Sequence, residues 1–530
     1  MYRILKADKD SYVTNKIIYS TRPTTSSSTD ANVGQAGTID IFKLYNATSV
    51  PSGTSGIELS RGLIHFNLDG LKAITGSILD INDPSFKCYV SMKNVYGGQT
   101  VPSNFTLVLY PLAKDWDEGR GNDVIGYRDL DAVNWFTASI NPTVVTWTSG
   151  GIGYGADITD INADYYLSSS LIGNVPLGFS QSFPRGDEDL LIDVTTAVSA
   201  TLNGDIPDYG FRLSFTGSQE SDSVTRFVKR FSSRQSRNTI LHPQLIVKYN
   251  DSFIDNQAQL FFDYPNKIGF YFYPFEQPTN FLSASTYISG SGSLLLELIA
   301  SQSQYVTTSS YSISHSASIL YTSASWAYFS QSFTGSQIQI GGLNQTGSYY
   351  ADVYLAKNTT GLSGVFKPDG SVDFMPVWKS LDNTVIFATG SSLTFKPLQG
   401  YSYIVGNRNY NVNILDLKEQ YINTDEVTLH AFTYDFDPTV RSFYLPYRSK
   451  AVVIKTMYWR LVDPFSKEII IPFDDVGTLM SVDGEGNYFR LYMQDLPINR
   501  VLEIELLIKE ANGQTYLIQN QGFKFKVVTA

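Results

Sequence analysis

Apolar and polar residues alternate with a period of two along much of this chain, in short runs punctuated by Gly, Pro, Asn and Asp. That period belongs to a strand with two unlike faces. Ile64, Phe66 and Leu68 share one face of RGLIHFNLDGL (61–71), and Leu245, Val247 and Tyr249 share one face near position 249. In GDEDLLIDVTTAVSATLNG, Leu190 and Ile192 alternate as a strand, and Asp193 opens a short helical turn over Val194 to Leu202. A Gly break then returns the chain through Tyr209 to a second strand at Phe211. Farther along, Leu502, Ile504, Leu506 and Ile508 face one way while Glu503, Glu505 and Lys509 face the other, which predicts a strand with one wet face.

These runs fall into three groups, close to what a length of 530 residues predicts at about 150 residues per domain. The first domain spans 1–251, with polar insertions at Arg22 to Thr38 and, the longest, at Arg120 to Phe183. After the polar link YNDSFIDNQ a second domain spans 256–398. Its aromatic string Phe262 to Phe281 holds three prolines, which confine it to edge strands and turns. From Ser283 to Tyr350 the chain is Ser-rich yet keeps its alternation. It closes in GSYYADVYL, whose pattern resembles the penultimate strand of an immunoglobulin-like sandwich. The third domain, 403–530, has its runs separated by turns at Asp463–Pro464, Asp483 to Asn487 and Asn512–Gly513. The fold class expected is all-β: a jelly-roll-like β-sandwich followed by two immunoglobulin-like β-sandwiches.

Composition agrees: 35 Tyr and 32 Phe against only 17% charged residues suit pleated, half-buried surfaces. A formal net charge of -11 argues against a chain that grips nucleic-acid phosphates. The basic group Lys229, Arg230, Arg234 and Arg237 is expected to belong to a framework strand and loop. Cys88 is the single cysteine, so no intrachain disulfide forms. The opening MYRILKADKDSYVTNK has no apolar core segment for export, and the apolar run Leu294 to Ala300 is cut by Glu297 and too short to span a membrane. A soluble protein made in a reducing cytosol is expected, with neither membrane nor nucleic acid as partner.

Four histidines, His65, His242, His315 and His430, stand apart from any nucleophile motif, so no catalytic residue is assigned. With one cysteine, a His/Cys metal site is excluded by count. The acidic clusters Asp115, Asp117, Glu118 and Asp187, Glu188, Asp189 are of a kind that oxygen-liganded cations use. Neither has a calcium loop's ligand spacing, and both are read as solvated turns, the first with Trp116 packed beneath it. The same carboxylates could flank a sugar bond, although their separation is not legible in sequence. Gly151, Gly153 and Gly155 lack the strand and helix that a phosphate-cradling loop requires. Neither metal nor cofactor is assigned. Trp135 and Trp147, both in the long insertion, are the candidate rings for stacking on a glycan.

Five phrases occur in an order that resembles the DNRLRE-type β-sandwich module: DSYVTNK at 10–16, LIHFNLDGL, WDEG at 116–119, IDVTTAVSATLNG followed by DYGFRL, and SSRQ…HPQLIVKY at 232–249. The resemblance covers roughly the first half of the chain. With VYGGQTVPSNFTL at 95–107 and FVKRFSSRQ at 227–235, the whole also resembles structural proteins of tailed-bacteriophage virions. That resemblance implies a non-enzymatic component of neck, tail, baseplate or capsid exterior, assembled in the host cytoplasm. Its partners would be other virion proteins and further copies of itself. The alternative it leaves open is an adhesin module that binds a surface polysaccharide.

Overall fold

The computed structural model describes residues 1–19, 25–46, 56–76, 79–98, 100–126, 129–171, 173–257, 259–274, 277–283, 285–303, 326–340, 342–397, 410–435, 453–510 and 513–529. His315 and the core of the Ser-rich stretch lie outside them. Two compact units result: Tyr2–Tyr249 with Gln494–Asn499, and Met1 with Asn250–Met493 and Arg500–Ala530.

In the first unit the principal strands are β1 (Tyr2–Lys6), β2 (Lys9–Thr14), β3 (Thr38–Tyr45), β4 (Ile57–His65), β5 (Lys87–Met92) and β6 (Phe105–Pro111). They continue with β7 (Phe179–Phe183), β8 (Leu190–Asp193), β9 (Phe211–Phe215), β10 (Arg226–Ser232) and β11 (Gln244–Lys248). One sheet runs β1-β11-β5-β8; the other runs β7-β6-β9-β4-β3-β10, with β2 paired to β4. Cys88, Val90 and Met92 of β5, Ile192 of β8 and Leu245 and Val247 of β11 are all buried. On the other sheet Phe105 stacks on Phe183 at 5.0 Å and meets Phe215 edge-on at 5.5 Å.

The strand, helical turn and return around Asp193 form as the alternation predicts. Leu190 and Ile192 of β8 are buried while Leu191 and Asp193 are exposed. Asp193 Oδ1 accepts from Thr195 N at 2.9 Å and Thr195 Oγ1 at 2.6 Å, and α2 follows over Thr195–Asn203. Its end is set by Gly204 at φ 86°, whose N–H donates to Thr201 O. The LIHFNLDGL reading needs correction. The strand stops at His65, and a helix, α1 (Asp69–Ile74), follows at once. Asn67 Oδ1 accepts the Asp69 N–H at 2.8 Å and turns the chain, and Leu68 and Leu71, three residues apart, are both buried.

In the second unit, strands β12 (Leu260–Phe261), β13 (Pro265–Tyr271), β14 (Leu294–Ser303), β15 (Trp326–Ile340), β16 (Leu343–Tyr354), β17 (Val372–Lys379) and β18 (Leu393–Lys396) form a sheet in the order β12-β18-β17-β14-β15-β16-β13. Pro265 opens the terminal strand β13, where its missing N–H costs least. Three strands follow β16, namely β17, Ile386–Thr389 and β18, so GSYYADVYL is not penultimate. Next come β19 (Tyr410–Ile414), β20 (Gln420–Ile422), β21 (Glu426–Asp435), β22 (Met457–Val462), β23 (Ser481–Asp483), β24 (Gly486–Tyr492), β25 (Val501–Lys509) and β26 (Lys524–Val528). They make one sheet β19-β21-β24-β23 and another running β20-β26-β25-β22. In the first group the first strand, β12, pairs parallel with the last, β18; in the second, β20 pairs parallel with the last, β26. The protein is all-β, built of sandwiches.

The wet face predicted for β25 is absent. Glu503 and Glu505 are 1% and 4% exposed, so both faces of the middle of β25 are covered. Alternation reports that two faces differ, not that one of them meets water.

Candidate functional site

Of the chemistry-bearing residues singled out in the sequence, Asp115, Asp117, Glu118, Trp135, Trp147 and the Gly151 to Gly155 cluster lie in the loops 113–121 and 129–165 of the first unit. Two buried side chains organise them. Asn32 donates from Nδ2 to Glu118 O at 2.7 Å and Val133 O at 3.0 Å, while its Oδ1 accepts from Gly121 N at 3.0 Å. A Cβ at Gly121 would sit 1.8 Å from Asn32 O, so only glycine fits there. Asp164, fully buried, accepts from Thr148 N (2.7 Å) and Lys114 Nζ (2.8 Å) at Oδ1, and from Ser149 N and Tyr154 N (3.0 Å each) at Oδ2. Sequence reasoning missed both. The only local sign of Asp164 is a carboxylate set between Ala163 and Tyr165 at the start of a strand-like run.

Trp135 and Trp147 are brought into one cluster with Trp116, Leu63 and Ile152. Trp147 is 5% exposed and its indole N–H donates to Asn134 O at 3.1 Å. Trp135 is half-buried, packed against this cluster, with the Arg61 guanidinium 5.6 Å from its ring centroid. A Cβ on Gly151 would lie 2.5 Å from the Trp135 ring, and Gly151 itself has φ 72°. Gly150 and Gly151 are therefore the bed on which Trp135 lies, while Gly155 lies against the Tyr165 ring. Burial places Trp147 as packing; Trp135 lies against both Gly151 and Arg61, whose Nη1 donates directly to Gly151 O.

The basic group is dispersed among acidic and carbonyl partners. Lys229 is enclosed, donating to Asn94 Oδ1 (2.7 Å), Gly186 O (2.8 Å) and Glu188 O (2.7 Å), and burial brings its ammonium down to about 8. Arg230 pairs with Asp40 at 2.6 Å. Arg234 Nε donates to Glu118 Oε1 at 2.6 Å, and Arg237 alone is exposed. The acidic clusters are engaged in the same way. Asp115 pairs with Lys9, Asp187 with Arg185 and Asp189 with Lys93, while Glu188 accepts the N–H groups of Arg185 and Gly186.

Asp10, 1% exposed, accepts the Arg234 N–H at 2.5 Å and donates its own N–H to Glu118 Oε1 at 2.9 Å. Burial, with the neighbouring Glu118 carboxylate, raises it to about 7 against the pull of Arg234. His65 lies between Asp8 (Nδ1 to Oδ1, 2.6 Å) and Asp208 O (3.1 Å). Burial lowers its basicity, but the Asp8 hydrogen bond and charge raise it by more, so the net direction is upward. Each of these sites is an internal clamp.

Beside the Asn32 hub an open depression of about 570 Å³ is lined by Asp117, Arg120, Asp129, Asp131 and Asn141. Around it and along the rest of the insertion, large apolar side chains stand in water: Leu130, Phe136, Val144, Ile161 (93% exposed) and Leu171 (71%).

No protein-family profile matches the chain, and no curated protein matches it. Among solved structures, fibronectin(III)-like modules of Clostridium thermocellum CbhA align over 53% of this chain and 92% of theirs, with 9% identity and a TM-score of 0.14. The N-terminal four Ig domains of Dscam1 isoform 9.44 align over 100% of both chains, with 8% identity and a TM-score of 0.12. A Ca2+-stabilized adhesin with which an Antarctic bacterium binds ice aligns over 99% of this chain and 90% of its own, with 8% identity and a TM-score of 0.14. The fold described above rests on the strand pairings themselves.

Proposed function

We propose that the protein is a non-enzymatic structural component of a tailed-phage virion, acting through protein-protein contacts. The observation that carries this reading is the contrast within the first unit. Most side chains of its acidic and basic clusters are taken up in ion pairs and hydrogen bonds within the unit, whereas Leu130, Phe136, Val144, Ile161 and Leu171 of the 120–183 insertion face outward. Exposed apolar side chains among polar neighbours suit the desolvated core of an assembly interface. The phrase-by-phrase resemblance of the sequence points to the particle in which that assembly would occur.

The test replaces Ile161 and Leu171 together by Ser. Both are solvent-exposed, so the folded chain should persist by circular dichroism while its copy number per purified particle falls several-fold. Unchanged incorporation, or absence of the wild-type chain from particles, would overturn the proposal. Retention of the free chain on a glycan array without particle incorporation would favour the adhesin reading instead.

A further inference from the structure

The segment that reads as a polar link between domains is built into two sheets at once. Strand β23 ends one sheet of the second unit, and β13 ends another. Residues 253–257 lie along both free edges. Phe253 O accepts the Val482 N–H at 2.8 Å and Asp255 N donates to Val482 O at 3.0 Å, so that Ile254 and Val482 form a parallel bridge on β23. One residue later the partner changes. Asn256 N donates to Lys267 O at 2.7 Å, Asn256 Oδ1 accepts the Lys267 N–H at 3.0 Å, and Gln257 Nε2 donates to Gly269 O, all on β13.

Asp255 sits at the crossover, 1% exposed. Its Oδ1 accepts from Gln257 N and its Oδ2 from Gln257 Nε2, each at 3.0 Å. The carboxyl rests on the bare backbone of Gly269: a Cβ there would lie 2.6 Å from Asp255 Oδ2. This explains a glycine inside the strand PNKIGFY, where its backbone freedom is otherwise a cost. The seat is framed by Phe253, edge-on to Tyr350 at 5.8 Å, with the Lys267 ammonium over both rings.

We propose that residues 253–257 are a strap locking the two sandwiches of the second unit into one body, with the Asp255 carboxyl on Gly269 as its proton-sensitive latch. The inference is independent of the virion reading. The titratable groups facing Asp255 are Tyr271 from β13 and Asp483 from β23, with Tyr488 of β24 beside Tyr271 and His430 of β21 held by Asp483 at 3.1 Å. Lys267 is directed to Asp352 at 3.6 Å, and among the described residues no ion pair reaches Asp255. Burial, with Asp483 adding to it, raises the carboxyl from 3.8 to about 6. The seated strap thus holds a proton that the open strap releases. Its stability is greatest below about pH 4, falls as pH rises towards 6, and stays at the lower level above. Over that interval the opening constant should grow on the order of a hundredfold.

Hydrogen exchange of the full chain, corrected for intrinsic rates, tests this at pH 4.5 and pH 7.5. Wild-type peptides covering 253–257 should exchange at least tenfold faster at pH 7.5, whereas Asp255→Asn should remove that difference. Gly269→Ala, which places a methyl against the carboxyl, should open the strap at both pH values while β14 and β25 stay protected. Wild-type strap exchange that ignores pH, or Asp255→Asn that retains the pH dependence, would overturn the latch. A Gly269→Ala strap as protected as wild type would overturn its seat. Should Gly269→Ala also expose β25, the Asp255→Asn comparison still decides.

Discussion

Glu503 shows how much one side chain can cost a sheet. Both of its carboxylate oxygens are buried without a hydrogen-bond partner, although Lys524 lies directly opposite in register on β26. Glu505, two residues on along the same face, takes the nearby guanidinium of Arg460. A buried carboxylate left unpaired costs more than a hydrogen bond returns. Glu503→Leu should accordingly stabilise the second unit by about 1–3 kcal/mol, measured as a higher urea midpoint with the slope unchanged. Glu505→Leu should lower that midpoint by stranding Arg460. A Glu503→Leu midpoint at or below wild type would show that the carboxylate is compensated after all. Such residues mark where sequence reading stops. Periodicity put Glu503 and Glu505 on the face opposite Leu502 and Leu506, correctly, but what covers a face is decided by strands distant in sequence.

At the scale of elements, the first unit leaves few strand edges open. Gln181 of β7 reaches across to β8, accepting from Leu191 N at 2.7 Å and donating to Asp189 O at 2.8 Å, so one side chain covers the flank of a neighbouring terminal strand. Strand β10 is flanked by Val95 N to Arg230 O and Ser232 N to Lys93 O, both 3.0 Å. The edge of β1 meets Asp495, which accepts from Ile4 N at 3.2 Å and Arg3 Nε at 2.6 Å. Open edges invite pairing with other chains. Gln181→Ala should cost about 1 kcal/mol and accelerate exchange of the Leu191 amide; unaltered exchange there would mean the edge has another cover. The strands and turns of these elements were largely legible, since Leu190, Ile192, Gly204 and the Asp463 and Asp483 turns carry their instructions locally. The Asp164 hub, the Asn32 hub and the 253–257 strap were not. Each is a polar side chain or backbone whose partners lie tens or hundreds of residues away, and in sequence each resembles an ordinary loop residue. Trp135 and Trp147 show the same limit: sequence marks a ring but not the glycines and carbonyls that enclose it.

For the whole molecule, two compact units predict two cooperative unfolding transitions with different pH responses. In the first unit, Asp10 is raised from 3.8 to about 7, so the folded state holds a proton that the unfolded chain has released between those values. Its stability therefore declines as pH rises from about 4 to about 7. His65, also raised, adds stability that is complete below its unfolded value and is lost as pH rises through its folded one. Calorimetry at pH 5 and pH 8 should show the transition of this unit falling with pH in the wild type, and falling less in Asp10→Asn, with the other transition unaffected by the substitution. Equal pH dependence in the two proteins would remove Asp10 from the account.

The parallel pairing of the first and last strands in the first sandwich of the second unit has a mechanical consequence. Leu260 and Phe261 lie against Phe395 and Lys396, and the two strands run in the same direction. Tension applied to the two ends of such a sandwich draws these strands lengthwise past each other and loads all the bonds of the pair together. Antiparallel terminal strands would instead be peeled apart one bond at a time. The order in which the chain enters and leaves this sandwich thus gives it the geometry of a load-bearing link, with resistance set by its first and last strands rather than by its core.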